Sequence, residues 1–484
     1  VTISLSSLFD QNDFAGTDCI IAAVSGGSDS LAMLFLLRDY LARFGHGQRL
    51  VAVTVNHGLR DEAAREAREV AQLCAENNIT HETLVWDQER PIRAVSHQAR
   101  LARYNLLCKA AEKHGAGVIV TGHTLDDQAE TYTMRLLRGG LEQRGLASMP
   151  RLSLLWQKFR LLRPLLGVRR VMLRNYLAQC GLAWIDDPTN ANPHYERVRI
   201  RNSLDDRAVL EARDAVIAAA QKRRAEAEAV AALALKLHMR LHSERLWFDL
   251  QLLGSDDRKA FAALVALSAA VMGGAQYPAM ERQKLMAFFT AQGNVPHRMT
   301  MSGAVIEMTG KFLRIWREKR NLASCTLMPG QTVIWDGRYR ISNSSEEMML
   351  LRPPAQAEVR QIISQLPPHR AGMHDLHFPS LETSCMICGK NGFDLPALTR
   401  DGLKNEGVSL QRIILPFDWL VSEYDLAVLR IFLPVFTMKA GKMIKTAGNF
   451  DDLEPLTLAM VKSEHMLQEN LSLAFASFGQ VELI

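Results

Sequence analysis

Apolar runs of four to six residues recur through the first 190 positions and are separated by longer segments with helical periodicity. The runs 19–24, 50–55 and 117–121, with the more polar segment 80–85, are the strand candidates, and 28–43, 61–77 and 97–114 predict helices. The first run (Cys19-Ile20-Ile21-Ala22-Ala23) has no polar alternation, which suits a strand covered on both faces. Strand and helix alternating in this way predict an α/β unit with a Rossmann-like parallel sheet.

The pattern then changes. Turn-forming residues at 185–193 close the first unit, and a basic segment follows (Arg197-Val198-Arg199-Ile200-Arg201-Asn202). Residues 208–240 are rich in Ala, Glu, Arg and Leu and predict one or two long helices. Helical periodicity continues through 258–271 and 278–292. From about 325 the chain carries Pro329-Gly330, Trp335-Asp336-Gly337-Arg338 and alternating segments, which predict a small α+β or mostly β domain. The expected division is therefore 1–205, a helical domain at 206–324, and a C-terminal domain at 325–484.

Composition narrows the class. A chain of 484 residues, 48% hydrophobic, is too long for one core. No apolar run approaches the about 18 residues that span a bilayer, and no signal-peptide pattern opens the chain, so no membrane partner is expected. Seven scattered Cys suit a reducing cytoplasm. The formal charge is only +5, but 135–174 holds ten basic residues against one acid, Glu142. Such a stretch suggests a polyanionic substrate, or else a solvated face.

Candidate chemistry collects where the predicted strands end. Ser25-Gly26-Gly27-Ser28-Asp29-Ser30 joins the first strand to the first helix, and this kind of turn offers backbone N–H groups and hydroxyls to an anion. It lacks the Lys of a Walker loop, and Asp29 among those donors suits Mg²⁺ carried by ATP better than bare phosphate. Asn56-His57-Gly58-Leu59-Arg60 follows the second strand, where Asn56 and His57 could line a nucleoside pocket. Gly122-His123-Thr124-Leu125-Asp126-Asp127 runs into a helix carrying Glu130 and Thr131. His123, Asp127 and Glu130 fit one helix face, while Asp126 and Asp127 also fit a helix N-terminus. Asp29, Asp126 and Asp127 are the candidate metal ligands. Arg100 and Arg103, one helical turn apart, could clamp phosphate or sit on a solvated face. Cys385 and Cys388 form a CxxC without a second pair; zinc would need His369, His374 or His377 at merely permissive spacing.

Taken together these motifs resemble the tRNA(Ile)-lysidine synthetases, within the PP-loop ATP pyrophosphatases. The Ser25–Ser30 loop carries the likeness to the wider group. Asn56–Arg60, Ala99-Arg100-x-x-Arg103-Tyr104, Gly122–Thr131, Arg163-Pro164-Leu165-Leu166 and Asp186–Asn190 with Arg201-Asn202 narrow it. The match is dense over 18–205 and loose over the last 150 or so residues.

The resemblance implies a PP-loop catalytic domain, ATP and Mg²⁺, and two other partners: a tRNA(Ile) with a CAU anticodon and L-lysine. It leaves a homodimer open. It implies adenylation of C2 oxygen on the wobble cytidine, then attack by lysine with release of AMP. Ser25, Gly26, Gly27, Ser28, Asp29 and Ser30 would hold the pyrophosphate end, with Asn56 and His57 beside the nucleoside. Arg103 and Arg100 would face the α-phosphate, and His123, Asp127 and Glu130 would border the base and lysine. The stretch 135–174, Arg197–Arg201 and the helical domain would grip the tRNA backbone. A tRNA cytidine thiolase, sharing the adenylation step, is the alternative that Cys385 and Cys388 keep open.

Overall fold

The computed structural model describes residues 3–45, 47–56, 62–86, 95–140, 144–186, 192–279, 282–290, 296–365, 376–398 and 403–437. The chain forms two compact units: residues up to Arg223 together with Leu420–Tyr424, and Arg224–Trp419 together with the segment beginning at Asp425.

The first unit is built on a seven-stranded sheet. Its strands are β1 (Cys19–Ala23), β2 (Arg49–Asn56), β3 (Thr80–Val85), β4 (Val118–Thr121), β5 (Leu152–Leu155), β6 (Phe159–Leu162) and a last strand at Leu420–Ser422. Five of them run parallel in the order β6-β4-β1-β2-β3. Helices α1 (Ser28–Phe44), α2 (Ala63–Glu76) and α3 (Val95–His114) link the parallel strands, as the periodicity of the sequence predicts. Helices α4 (Leu125–Gly139), α5 (Arg170–Gln179) and α6 (Glu196–Ser203) follow.

The core explains the apolar pattern. Cys19, Ile20, Ile21 and Ala22 have no exposed surface, because β1 is central and covered on both faces. Leu31 to Leu37 of α1 are buried in an unbroken run, since α1 lies against the sheet on one side and packs with Leu173 and Leu177 of α5.

The antiparallel edge was not visible in local pattern. β5 turns back on β6, and Leu420–Ser422 pairs antiparallel with β5, completing the sheet from far along the chain. Glu423, just past that strand, accepts the backbone N–H of Arg151 at 2.9 Å.

The second unit begins within a single 31-residue helix, α7 (Asp206–Lys236), where one or two were expected. Helix α8 (Arg258–Gly273) is expected and found, with α9 (Arg282–Thr290) after it. This stretch also holds a five-stranded antiparallel sheet (Arg240–His242, Arg245–Asp249, Ala304–Met308, His297–Met301 and Phe312–Arg317) packed against α8. Its strands are short hairpin arms of three to six residues, too brief to compete with the helical signal around them. Beyond residue 325 a four-stranded and a three-stranded sheet enclose Trp335, Tyr339, Ile341 and Leu351. Among the described residues no helix is long and apolar enough to cross a membrane.

Replacing Glu423 by Ala would leave the Arg151 N–H without its acceptor, a loss of about 1–3 kcal/mol for a buried donor. The Glu423→Ala protein should therefore unfold at lower denaturant concentration than the parent, and an unchanged midpoint would show that the added strand contributes little.

Candidate active site

The strand order places a switch point between β1 and β4. From β1 the chain winds outward through β2 and β3, then returns to β4 on the other side of β1. The segments leaving the ends of β1 and β4 therefore diverge above a crevice, where open α/β sheets bind ligands. Those two segments are 24–27 and 122–124.

The first is a turn over the start of α1. Gly26 has φ +84°, and a Cβ there would lie 2.8 Å from Ile185 Cδ1, so glycine is needed for both reasons. Ser30 Oγ donates to the Gly27 carbonyl at 3.0 Å and accepts the Ser25 N–H at 3.1 Å, which closes the loop on itself. Ser28, Asp29 and Ser30 occupy the first turn of α1, where backbone N–H groups have no partner within the helix.

The second segment meets the first directly. A Cβ on Gly122 would lie 2.6 Å from the Asp29 carbonyl oxygen and 2.9 Å from Ser30 Cα. Thr124 then caps α4 in a reciprocal box: its Oγ1 accepts the Asp127 N–H at 3.3 Å, and Asp127 Oδ2 accepts the Thr124 N–H at 2.8 Å. Asp127 thus does the capping that one reading of the sequence allowed, and still directs Oδ1 into the site.

A guanidinium joins the carboxylates. Arg170 Nε donates to Asp29 Oδ2 at 2.8 Å, Nη2 donates to Asp127 Oδ1 at 3.1 Å, and Nη1 lies 3.5 Å from Glu130 Oε1. Arg197 reaches Glu130 at 2.6 Å and Asp127 at 2.9 Å, and Arg201 reaches Glu130 at 2.7 Å. Glu130, 1% exposed, is thereby surrounded by three guanidinium groups. A carboxylate so paired is placed to orient these arginines.

Asp126 points elsewhere. Its Oδ2 accepts the backbone N–H of Arg170 at 2.7 Å and its Oδ1 pairs with Arg169 at 3.2 Å, so it ties α4 to the start of α5. Of the three carboxylates expected to hold a metal, Asp29 and Asp127 share one guanidinium and Asp126 does not. Among the described residues no cluster of three or more His, Cys, Asp or Glu forms a metal cage. Two carboxylates are nonetheless the protein share that suits Mg²⁺ arriving on a nucleotide, with phosphate and water completing the shell.

Burial sets the charges. Desolvation raises the Asp29 pKa, partly opposed by Arg170 and reinforced by Asp127. His123 is held well below its ordinary value, first by desolvation and then by Arg163, Arg100, Arg197 and Arg103. The imidazole is therefore neutral near pH 7, with Nδ1 3.0 Å from the Thr121 hydroxyl. Arg100 and Arg103 are among the charges that lower its pKa. The Arg100 guanidinium stacks over the Tyr104 ring at 5.1 Å, and both arginines lie on the exposed side of α3. Asn56 ends β2 at the same rim, its carbonyl accepting the Trp86 N–H at 2.9 Å. His57 lies outside the described residues.

Two expectations need correction. The basic stretch 135–174 is divided, with Arg138, Arg144, Lys158 and Arg174 exposed and others turned inward: Arg151 pairs with Asp13 at 2.6 Å, and buried Arg163 donates to the Pro150 carbonyl at 2.8 Å and to Ser153 Oγ at 3.0 Å. Arg160 is buried against the carbonyls of Asn12 and Ala15. Arg197 and Arg201, expected on the tRNA backbone, are bound to site carboxylates. Their spacing of four on one helix was the available signal; Arg170 had none. Cys385 lies in the apolar core with Leu327, Trp335 and Ile387, its thiol pushed up by burial. His377 accepts the Ser380 N–H and packs on Trp316, while His369 and His374 lie outside the described residues.

The family model for the PP-loop domain (ATP_bind_3) matches residues 2–208. The chain is similar to the tRNA(Ile)-lysidine synthase of Bartonella quintana (strain Toulouse), with 37% identity over 472 residues covering 90% of this chain and 98% of that one. It is also similar to the tRNA(Ile)-lysidine synthase of Brucella suis biovar 1 (strain 1330), with 41% identity over 370 residues, 74% of this chain and 81% of the relative.

Gly122→Ala forces rigid backbone apart, and overpacking of this kind costs about 1–3 kcal/mol. ATP affinity should fall in that variant, measured by equilibrium dialysis, while the protein stays folded; unchanged affinity would mean the two loops need not touch. His123 supplies a pH test. Its native pKa lies below the roughly 6.5 of an unfolded chain, so below that pH only the unfolded state gains the proton. Stability should drop between pH 7 and pH 5, and His123→Asn should reduce that drop in denaturant titrations at the two pH values.

Proposed function

This chain belongs to the tRNA(Ile)-lysidine synthase family, and from that premise we propose that it joins L-lysine to C2 of the wobble cytidine in a CAU-anticodon tRNA(Ile). It is an ATP-dependent ligase of PP-loop type. The observation that best supports the finer reading is the backbone contact of Gly122 with Asp29 and Ser30, which sets the phosphate-type loop against the His123–Glu130 segment.

The chemistry asks for two substitutions. The cytosine C2 oxygen attacks the α-phosphorus of ATP, pyrophosphate leaves, and the base becomes adenylated. The lysine amine then attacks C2 and AMP departs. Activation turns a poor leaving oxygen into a phosphate ester, and positioning with charge stabilisation supplies much of the rate.

Each part of the site has a task on this reading. The N–H groups of Ser28–Ser30 and the hydroxyls of Ser25 and Ser30 receive the pyrophosphate end. Asp29 and Asp127 would hold Mg²⁺, which on binding supplies positive charge to the phosphate oxygens. Arg103, with Arg100, faces the α-phosphate. Glu130 holds Arg197 and Arg201 in place. His123 stays uncharged beside the base, so it can hydrogen-bond there without repelling the arginines.

The same field acts on the incoming amine. A free lysine ε-ammonium has a pKa of roughly 10.4, and nearby positive charge favours its neutral form. Arg100, Arg103, Arg163 and Arg197, the groups that depress His123, therefore help present lysine as a nucleophile.

Protein incubated with ATP, Mg²⁺ and labelled lysine should transfer label to CAU-anticodon tRNA(Ile) and leave initiator methionine tRNA unlabelled, with one AMP released per lysine. Label in both tRNAs would remove the assigned specificity. No label in either, with purified full-length chain, would overturn the ligation itself.

A further inference from the structure

Asp29 and Asp127 come from different helices, and like charges brought close together separate unless something holds them. Arg170 is placed to do that, because its guanidinium nitrogens address Asp29, Asp127 and Glu130 one each. The three carboxylates do not depend on it equally. Asp127 and Glu130 also pair with Arg197, and Glu130 with Arg201. Among the described residues Arg170 is the only cation paired with Asp29, whose Oδ1 has just the Ser28 hydroxyl at 3.3 Å.

The guanidinium is itself seated. Arg170 is the first residue of α5, and Asp126 Oδ2 accepts its backbone N–H at 2.7 Å, with Arg169 held by the other oxygen. One residue of α4 thus fixes where the Arg170 side chain starts, and the next, Asp127, receives its end. This gives Asp126 a use beside the site although it points away from Asp29.

We propose that Arg170 is a positioning residue for nucleotide-borne Mg²⁺, holding the Asp29 and Asp127 carboxylates toward one another before the metal arrives. The inference rests on the assignment of Asp29 and Asp127 to the metal in the proposed function. Its planar fork sets the two carboxylates at a defined separation and angle, which a lysine at the same position would not reproduce. Arg170 touches neither metal nor substrate in this account; it acts through the ligands.

The test is ATP binding by equilibrium dialysis across a Mg²⁺ titration, for the parent protein, Arg170→Lys and Asp126→Asn. Arg170→Lys keeps the charge and loses the three-way geometry. It should raise half-saturating Mg²⁺ about tenfold or more, the size expected for losing one charge-assisted bond. ATP affinity should return to the parent value at saturating Mg²⁺. Asp126→Asn, which loosens the seat, should shift the same way by a smaller factor. A purely structural role would instead lower ATP affinity equally at every Mg²⁺ concentration, and that result, or an unshifted Mg²⁺ midpoint, overturns the proposal. Should Arg170→Lys fail to fold by its thermal transition, Asp126→Asn decides on the same criterion. Parent protein whose ATP binding ignores Mg²⁺ would refute the metal assignment as well, which separates that failure from a failure of Arg170 alone.

Discussion

Gly122 meets the backbone of Asp29 and Ser30 with no side chain between them, and the geometry of the rim follows from that contact. β1 and β4 pair in the sheet, Ile20 beside Val118, although they lie far apart in sequence; their ends are adjacent because the crossover returns past β1. Any side chain at 122 would hold the two ends apart. With glycine there, the N-terminus of α1 and the N-terminus of α4 approach, and two sets of helix-end N–H groups and carboxylates share one crevice. Electrostatics can then operate over short distances, where it is strongest.

Gathering carboxylates this closely is unfavourable unless cations come with them, and the sheet provides cations from both flanks. α5 contributes Arg170, and α6 contributes Arg197 and Arg201. Arg163, Arg100, Arg197 and Arg103 add their positive field to the burial that holds the His123 imidazole well below its ordinary pKa. Three guanidiniums meet Glu130 directly, and His123 lies in the field of four arginines. Positive charge of this kind suits the negative charge of a nucleotide triphosphate.

The sequence carried the local rules well and the long-range ones poorly. The runs at β1, β2 and β4 and the apolar stretch of α1 were readable because each of these elements records its own burial. Ser25–Ser30, His123, Asp127 and Glu130 were readable as groups because they end strands or open helices. The strand at Leu420–Ser422 was not, since nothing in three residues says which edge they complete. Arg151, Arg160 and Arg163 misled for a related reason. A basic run looks like a surface for RNA until the carbonyls and Asp13 that receive it are known, and those acceptors lie far away in the chain.

Arg170 and Glu130 show what this blindness costs a reading of chemistry. The family resemblance put Glu130 beside lysine, and charge type alone left Arg170 in a nondescript basic stretch. The ion pairs reverse the emphasis. Glu130 is buried among three guanidiniums, and Arg170 stands between the Asp29 and Asp127 carboxylates, which we propose for the nucleotide's metal. Asp126 shifts in the same way, from candidate ligand to the cap that fixes where α5 begins. In each case the acidic residue type was visible, but its partner decided whether it meets the substrate or holds another residue that does. Partner identity is a property of the fold, because an ion pair in a partly desolvated site is made by whichever opposite charge the packing brings within about 3 Å.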